Sequence, residues 1–176
     1  LLRNVQGSSA SGYEMWDVTD VNNPALVGAM RGLTSTHKLY WECQTGIAYM
    51  PGSITSQAWR QPQSMVIVDW SNPASPVYLR THGLPGSQPT GTGPVPPSLH
   101  GAISGRENPN WTRKLARGAT ASDIVGNRVY AAWGVGDDGV IQVLDRSKLL
   151  PPPYGTFMGD RNNPTNDDLN SAQVSI

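Results

Sequence analysis

"SMVIVDWSNPASPVYLR", residues 64–80, sets a run of strand-favouring side chains against an abrupt stop at Asp69. A Ser-Asn-Pro turn follows, and a second proline, Pro76, opens another short apolar run. Along the first run Met65 and Ile67 face one way and Val66 and Val68 the other, and all four are apolar. A strand apolar on both faces is buried on both, which requires a sheet on each side of it.

The pattern recurs. Residues 14–28 read "EMWDVTDVNNPALVG" and residues 140–150 read "VIQVLDRSKLL", so that short runs end on Asp17 (with Asp20 just after), Asp69 and Asp145. An aspartate in this position can accept a bond from the backbone N–H two residues on, which turns the chain out of the strand. Pro24 and Pro73 then fix φ and keep the preceding residue out of the helical region. Pro76 has no N–H to donate, which marks the strand it opens as an edge strand. In the third copy the Asn-Pro is absent, and Arg-Ser-Lys-Leu-Leu offers a helical turn instead.

The intervening runs correspond as well. "STHKLYWE" (35–42) precedes "TGIAYMPG" (45–52), and "PSLHGAIS" (97–104) precedes "GNRVYAAWG" (126–134). The unit is a His-led strand, a Gly-turned strand with Tyr, a strand ending in Asp, and a short Pro-led strand. Extra residues at 53–63, 84–97 and 105–125 are rich in Gly, Pro, Ser or Asn and read as loops. This predicts an all-β chain with strands near 13–18, 26–30, 37–42, 46–50, 64–69, 77–81, 99–104, 127–133 and 139–145, and little helix. Four-stranded antiparallel sheets stacked face to face are the blades of a β-propeller; a β-sandwich with similar turns is the alternative. Residues 1–150 would hold two full blades and part of a third, and residues 151–176 an irregular C-terminal arm.

Composition agrees with a turn-rich single domain. Of 176 residues only 15% are charged, with 19 Gly and 15 Pro, yet six Trp and six Tyr supply core material. Thirteen basic and thirteen acidic residues cancel, with no Lys/Arg cluster to suit nucleic acid. No apolar run is long enough for a membrane-spanning helix. The single cysteine, Cys43, allows neither an intrachain disulfide nor a cysteine-based zinc site. The chain opens Leu-Leu-Arg-Asn without a methionine or a signal-peptide layout, which reads as a processed or cleaved start.

The "MVIVDWSNPASPVYL" and "MWDVTDVNNPALVG" segments resemble LVIVD repeats, the propeller blades of secreted or cell-surface bacterial and archaeal proteins; the resemblance covers roughly residues 13–150. It implies a propeller of about six to eight blades, a secreted or periplasmic location and no particular reaction. Two repeats and part of a third cannot close a ring. The remaining blades of a longer chain or a partner subunit are therefore expected to cover the outer faces, placed around Met15/Val18 and Ile141/Val143.

Chemistry-bearing residues are few. His37 and His100 sit at equivalent places near the start of the innermost strand, where strand starts line a channel mouth. They can converge on a ligand or a transition metal, or each can bond a neighbouring backbone and only staple the fold. Glu42 offers a carboxylate to such a site or a partner to an arginine. Trp59 and Trp111 fall in insertions and read as exposed contact residues, while His82 reads as a turn or surface residue. "GVGDDG" (134–139) reads as a hairpin turn; Asp137 and Asp138 lack the far-end ligand of a calcium loop. No nucleophile elbow, P-loop or dinucleotide fingerprint is present. Two functions remain: a scaffold presenting loops to a protein, glycan or small ligand, or a metal-dependent oxidoreductase or hydrolase built on His37 and His100.

Overall fold

In the computed structural model, which describes residues 1–6, 11–104, 127–134 and 139–176, the chain lays down three antiparallel sheets in sequence order. The first holds β1 (Leu2–Val5), β2 (Gly12–Asp17) and β3 (Ala25–Arg31), with β2 central. The middle sheet holds β4 (Leu33–Thr34), β5 (Tyr40–Trp41), β6 (Ile47–Ile54), β7 (Ser64–Asp69) and β8 (Val77–His82). The long β6 pairs β5 through its first half and β4 through its end, and β7 lies between β6 and β8. The last sheet orders β9 (Leu99–Ser104), β10 (Arg128–Trp133), β11 (Val140–Asp145) and β12 (Gln173–Ser175). Among the described residues the α-helices are short: α1 (Arg146–Leu149) has four residues and α2 (Asn166–Ser171) six.

The register of β6 and β7 explains why these sheets stack. Tyr49 lies opposite Ile67 and Met50 opposite Val66, so like-facing side chains are neighbours across the pair. Ile47, Tyr49, Met65 and Ile67 are wholly buried against Leu99, Val129, Ala131, Trp133 and Leu144 of the last sheet. On the other face Ala48, Met50, Val66, Val68 and Trp70 are wholly buried against Tyr13 and Met15 of the first. Each large apolar side chain buried in this way contributes roughly 1.5–3 kcal/mol. The middle sheet is thus a layer between two others.

The outer faces differ from expectation at one end. Met15 is 3% exposed and points inward; alternation along β2 puts Glu14 and Trp16 outside instead. Arg3 Nη2 lies 2.8 Å from Glu14 Oε2, Arg31 bonds the other oxygen, and the Arg3 guanidinium sits 5.0 Å over the Trp16 ring. The Arg31 bond, with smaller help from Trp16 and Arg3, outweighs burial and holds the Glu14 carboxyl down at about 2. Val18 lies beyond the end of β2 and is exposed. At the other end Ile141 does face outward, 58% exposed, beside half-buried Val143, Tyr130 and Ala132.

The strands stop where the aspartates stand. Asp17, Asp69 and Asp145 accept the N–H of Thr19 (2.9 Å), Ser71 (2.8 Å) and Ser147 (2.9 Å), each two residues on. After Asp69 the Trp70 indole donates to the Pro73 carbonyl at 3.0 Å, closing the Ser-Asn-Pro turn. Both neighbouring strands meet that turn with glycine. A Cβ on Gly28 would lie 2.0 Å from the Pro73 carbonyl oxygen, and one on Gly46, at φ +80°, 2.5 Å from Ser71 Cα. In the third copy Asp145 caps α1.

β8, opened by Pro76, ends its sheet, and the edge is met by the C-terminal segment: Thr81 N–H and the Tyr78 hydroxyl both donate to the Arg161 carbonyl. That segment, expected as an irregular arm, folds α2 behind a Thr165–Asp168 capping box and then adds β12 to β11. The short strands β1, β4 and β12 carry too little alternation to be expected from sequence. β10 and β11 pair as a hairpin from Trp133–Val140 onward; Asp137 and Asp138 lie outside the described residues.

Asp69 also receives the Tyr154 hydroxyl, and although partial burial opposes it, this bond and the Ser71 N–H hold the carboxyl below its usual range. Asp69→Ala should lower the unfolding free energy by about 1–2 kcal/mol in urea titrations. An unchanged midpoint would remove the turn from the list of stabilising contacts.

Candidate functional site at the His37–His100 pair

His37, expected to begin a strand over 37–42, lies in the link between β4 and β5, since only Tyr40–Trp41 pair there, whereas His100 lies in β9, the first strand of the last sheet. Their ring centroids are 4.9 Å apart with the planes tilted at 56°. His37 Nδ1 is 3.1 Å from the His100 carbonyl oxygen. A carbonyl only accepts, so Nδ1 carries the proton and the Nε2 lone pair of His37 is left available. Both rings are half-buried.

The backbone that presents His37 is pinned from behind. The buried Tyr13 hydroxyl donates to the Pro51 carbonyl at 2.6 Å and accepts the His37 N–H at 3.2 Å. Burial pushes that phenol above its ordinary range, so it stays a neutral donor. Thr36 is turned inward, its hydroxyl donating to the Val5 carbonyl at 2.9 Å. Ser35, at φ 54°, occupies the left-handed region, where a non-glycine residue is uncommon. The Gln63 side-chain amide donates to the Ser35 carbonyl at 2.7 Å and holds that conformation.

An open cleft of about 640 Å³ lies beside His37, lined by Thr34, Ser35, Thr36, Pro62, Gln63 and Ser98. Among the described residues that line it, only the imidazole is ionisable. Ser35 and Ser98 each stand two residues before a histidine, and the residues between, Thr36 and Leu99, are both buried. This shared Ser-x-His pattern is the sequence signal for the cleft that the comparison of strands passed over.

The other candidates stand elsewhere. Glu42 is wholly buried, with Arg146 Nε 2.9 Å from Oε1 and Nη2 2.8 Å from Oε2. Tyr49 donates to Oε1 at 2.9 Å and the Thr45 hydroxyl bonds Oε2. Burial, then the Glu42 charge, push the Tyr49 phenol well above its usual range. The carboxylate is committed to a core ion pair that ties the middle sheet to α1. Trp59, expected as an exposed contact residue, is 8% exposed, because the 83–88 loop folds back and Gly83 packs on its ring. Trp111 lies outside the described residues. Cys43 is exposed, its Sγ 3.9 Å from the Trp41 carbonyl. Among the described residues no three His, Cys, Asp or Glu side chains gather as a metal cluster.

His82, expected at the surface, is wholly buried at the end of β8, facing the last sheet beside Arg80. Neither ring nitrogen makes a hydrogen bond of normal geometry; the Gln142 side chain is only near enough to favour the charged ring slightly. Burial first, and the Arg80 charge second, pull its pKa down to about 3. Arg80 itself donates to the Leu149 carbonyl at 3.1 Å and lies 3.3 Å over the Phe157 ring. Burial lowers its pKa to about 9.

No family model matches the chain, and no curated protein or solved structure shows significant similarity to it. No described helix is long and apolar enough to cross a membrane.

Glu42→Ala would strand Arg146 in the core and should cost about 3–5 kcal/mol in urea unfolding, whereas replacing both residues by leucine should recover most of that loss. His82 binds its proton only in the unfolded chain between its ordinary pKa of 6.5 and its native value of about 3. Stability should therefore be complete above pH 6.5 and fall as pH drops through that window, by up to about 1.4 kcal/mol per unit. Unfolding curves from pH 7 to 5, above most carboxylate titrations, should show this slope in the parent and lose it in His82→Leu; equal slopes would refute it.

Proposed function

We propose that the three sheets are successive blades of a β-propeller of the LVIVD-repeat type, and that the chain is a binding module whose cleft beside His37 takes a neutral, hydroxylated ligand such as a short oligosaccharide. The observation that carries this reading is an open cleft beside His37, whose ring meets that of His100 from the next sheet, with described lining side chains that are otherwise uncharged. Hydroxyl and amide groups on a rigid β scaffold match the hydrogen bonds of a polyol without demanding a charge.

Sequence-ordered antiparallel sheets, each apolar face meeting the next sheet, support the blade reading. The last sheet leaves Tyr130, Ala132, Ile141 and Val143 outward on β10 and β11, the same alternation that the internal interfaces bury. A further sheet, from the remaining blades of a longer chain or from a partner subunit, is the occupant that this face fits.

Thermal-shift titration with neutral oligosaccharides in metal-free buffer tests the ligand class. The parent chain should be stabilised in a saturable way, and Ser98→Trp, which fills the cleft, should abolish the shift while leaving the unliganded melting temperature within a few degrees. Equal shifts in parent and variant, or none in the parent at millimolar sugar, would overturn the reading.

A further inference from the structure

The His37–His100 geometry supports more than a polar contact. A metal about 2.0–2.1 Å from each ligating nitrogen lies roughly 3.2 Å from each ring centroid, which places two imidazoles at about 90–110° with centroids about 4.5–5.2 Å apart. The observed separation is 4.9 Å, with the rings tilted rather than stacked. His37 Nδ1 is engaged by the His100 carbonyl, the outer-shell arrangement that fixes an imidazole with its Nε2 lone pair outward. The backbone of His37 is held by Tyr13, and His100 is the extra residue of a β-bulge, flanked by Leu99 and Gly101, which pair with Trp133 and Ala132 of β10. Two imidazole donors, with no third His, Cys, Asp or Glu gathered beside them among the described residues, suit a borderline divalent ion, and among these Cu²⁺ binds imidazole most tightly.

We propose that His37 Nε2 and a ring nitrogen of His100 hold one divalent transition-metal ion in a cis arrangement, with its remaining positions open to solvent and the adjoining cleft. Both ligands belong to this chain, so the site does not depend on further blades or on the ligand class of the cleft.

The chain itself makes the test decisive. It has three histidines, and His82 is wholly buried, so only His37 and His100 can supply two imidazoles to a bound ion. Tag-free Cys43→Ser protein, loaded with one equivalent of Cu²⁺, is examined by pulsed electron paramagnetic resonance, which counts coordinated imidazoles through their remote nitrogens. Two imidazoles are expected in this parent and one in His37→Ala or His100→Ala, with Cu²⁺ affinity falling about tenfold or more in each variant. One imidazole or none in the parent overturns the proposal. Should an alanine variant fail to fold, the parent count still decides, and His37→Gln, which keeps an amide donor toward the His100 carbonyl, should fold and show one imidazole.

Discussion

β6 and β7 have no polar side. Every interior side chain of this strand pair from Ile47 to Met50 and from Met65 to Val68 is excluded from solvent, and the two faces are excluded by different parts of the chain. Such a pair has no stable existence as one wall of a two-layer protein, because half of its apolar area would stay in water. The first sheet, the last sheet and the order in which they follow along the chain all answer that one constraint.

Charged groups are placed where this layering leaves edges. Glu42 enters the core only because Arg146, at the start of α1, meets it with a two-pronged bond while Tyr49 and Thr45 take up its remaining capacity. Arg80 and His82 sit on the same interface with no described carboxylate in direct ion-pair contact; Asp168 only weakly offsets burial at Arg80, and burial makes both groups easier to deprotonate. The outer face of the first sheet takes the opposite course: Glu14 stands on the central strand, and Arg3 and Arg31 pair with it and cover it from solvent.

The strands were readable in the sequence because alternation and turn chemistry act within a few residues. The run 64–69 shows its two apolar faces in four consecutive letters, and Asp69-Trp-Ser-Asn-Pro states where it must stop. What lay hidden depends on residues far apart. Nothing beside Glu42 names Arg146 as its partner, 104 residues on. Nothing beside Trp59 announces that the 83–88 loop will close over it, since a Gly/Pro/Ser-rich loop reads the same whether it is packed or free, and nothing beside His82 announces the sheet that covers it. The equivalence of His37 and His100 was visible, whereas the approach of their rings depends on how two sheets pack, which no local pattern encodes. The direction of Met15 needed only the phase of β2, set by Asp17 at its end.

The 71–74 turn also governs how this protein can drift in sequence. Gly28 of the first sheet and Gly46 of the middle sheet bring bare backbone against it, so the rim spacing, between sheets at Gly28 and between neighbouring turns of one sheet at Gly46, is set by peptide units with no side chain between them. Side-chain interfaces can exchange volume from one neighbour to another, but a contact made of backbone has nothing to exchange. Substitution is therefore free along the solvent-facing turns such as 20–23 and closed at these two glycines, where even one methyl group would have to move a strand.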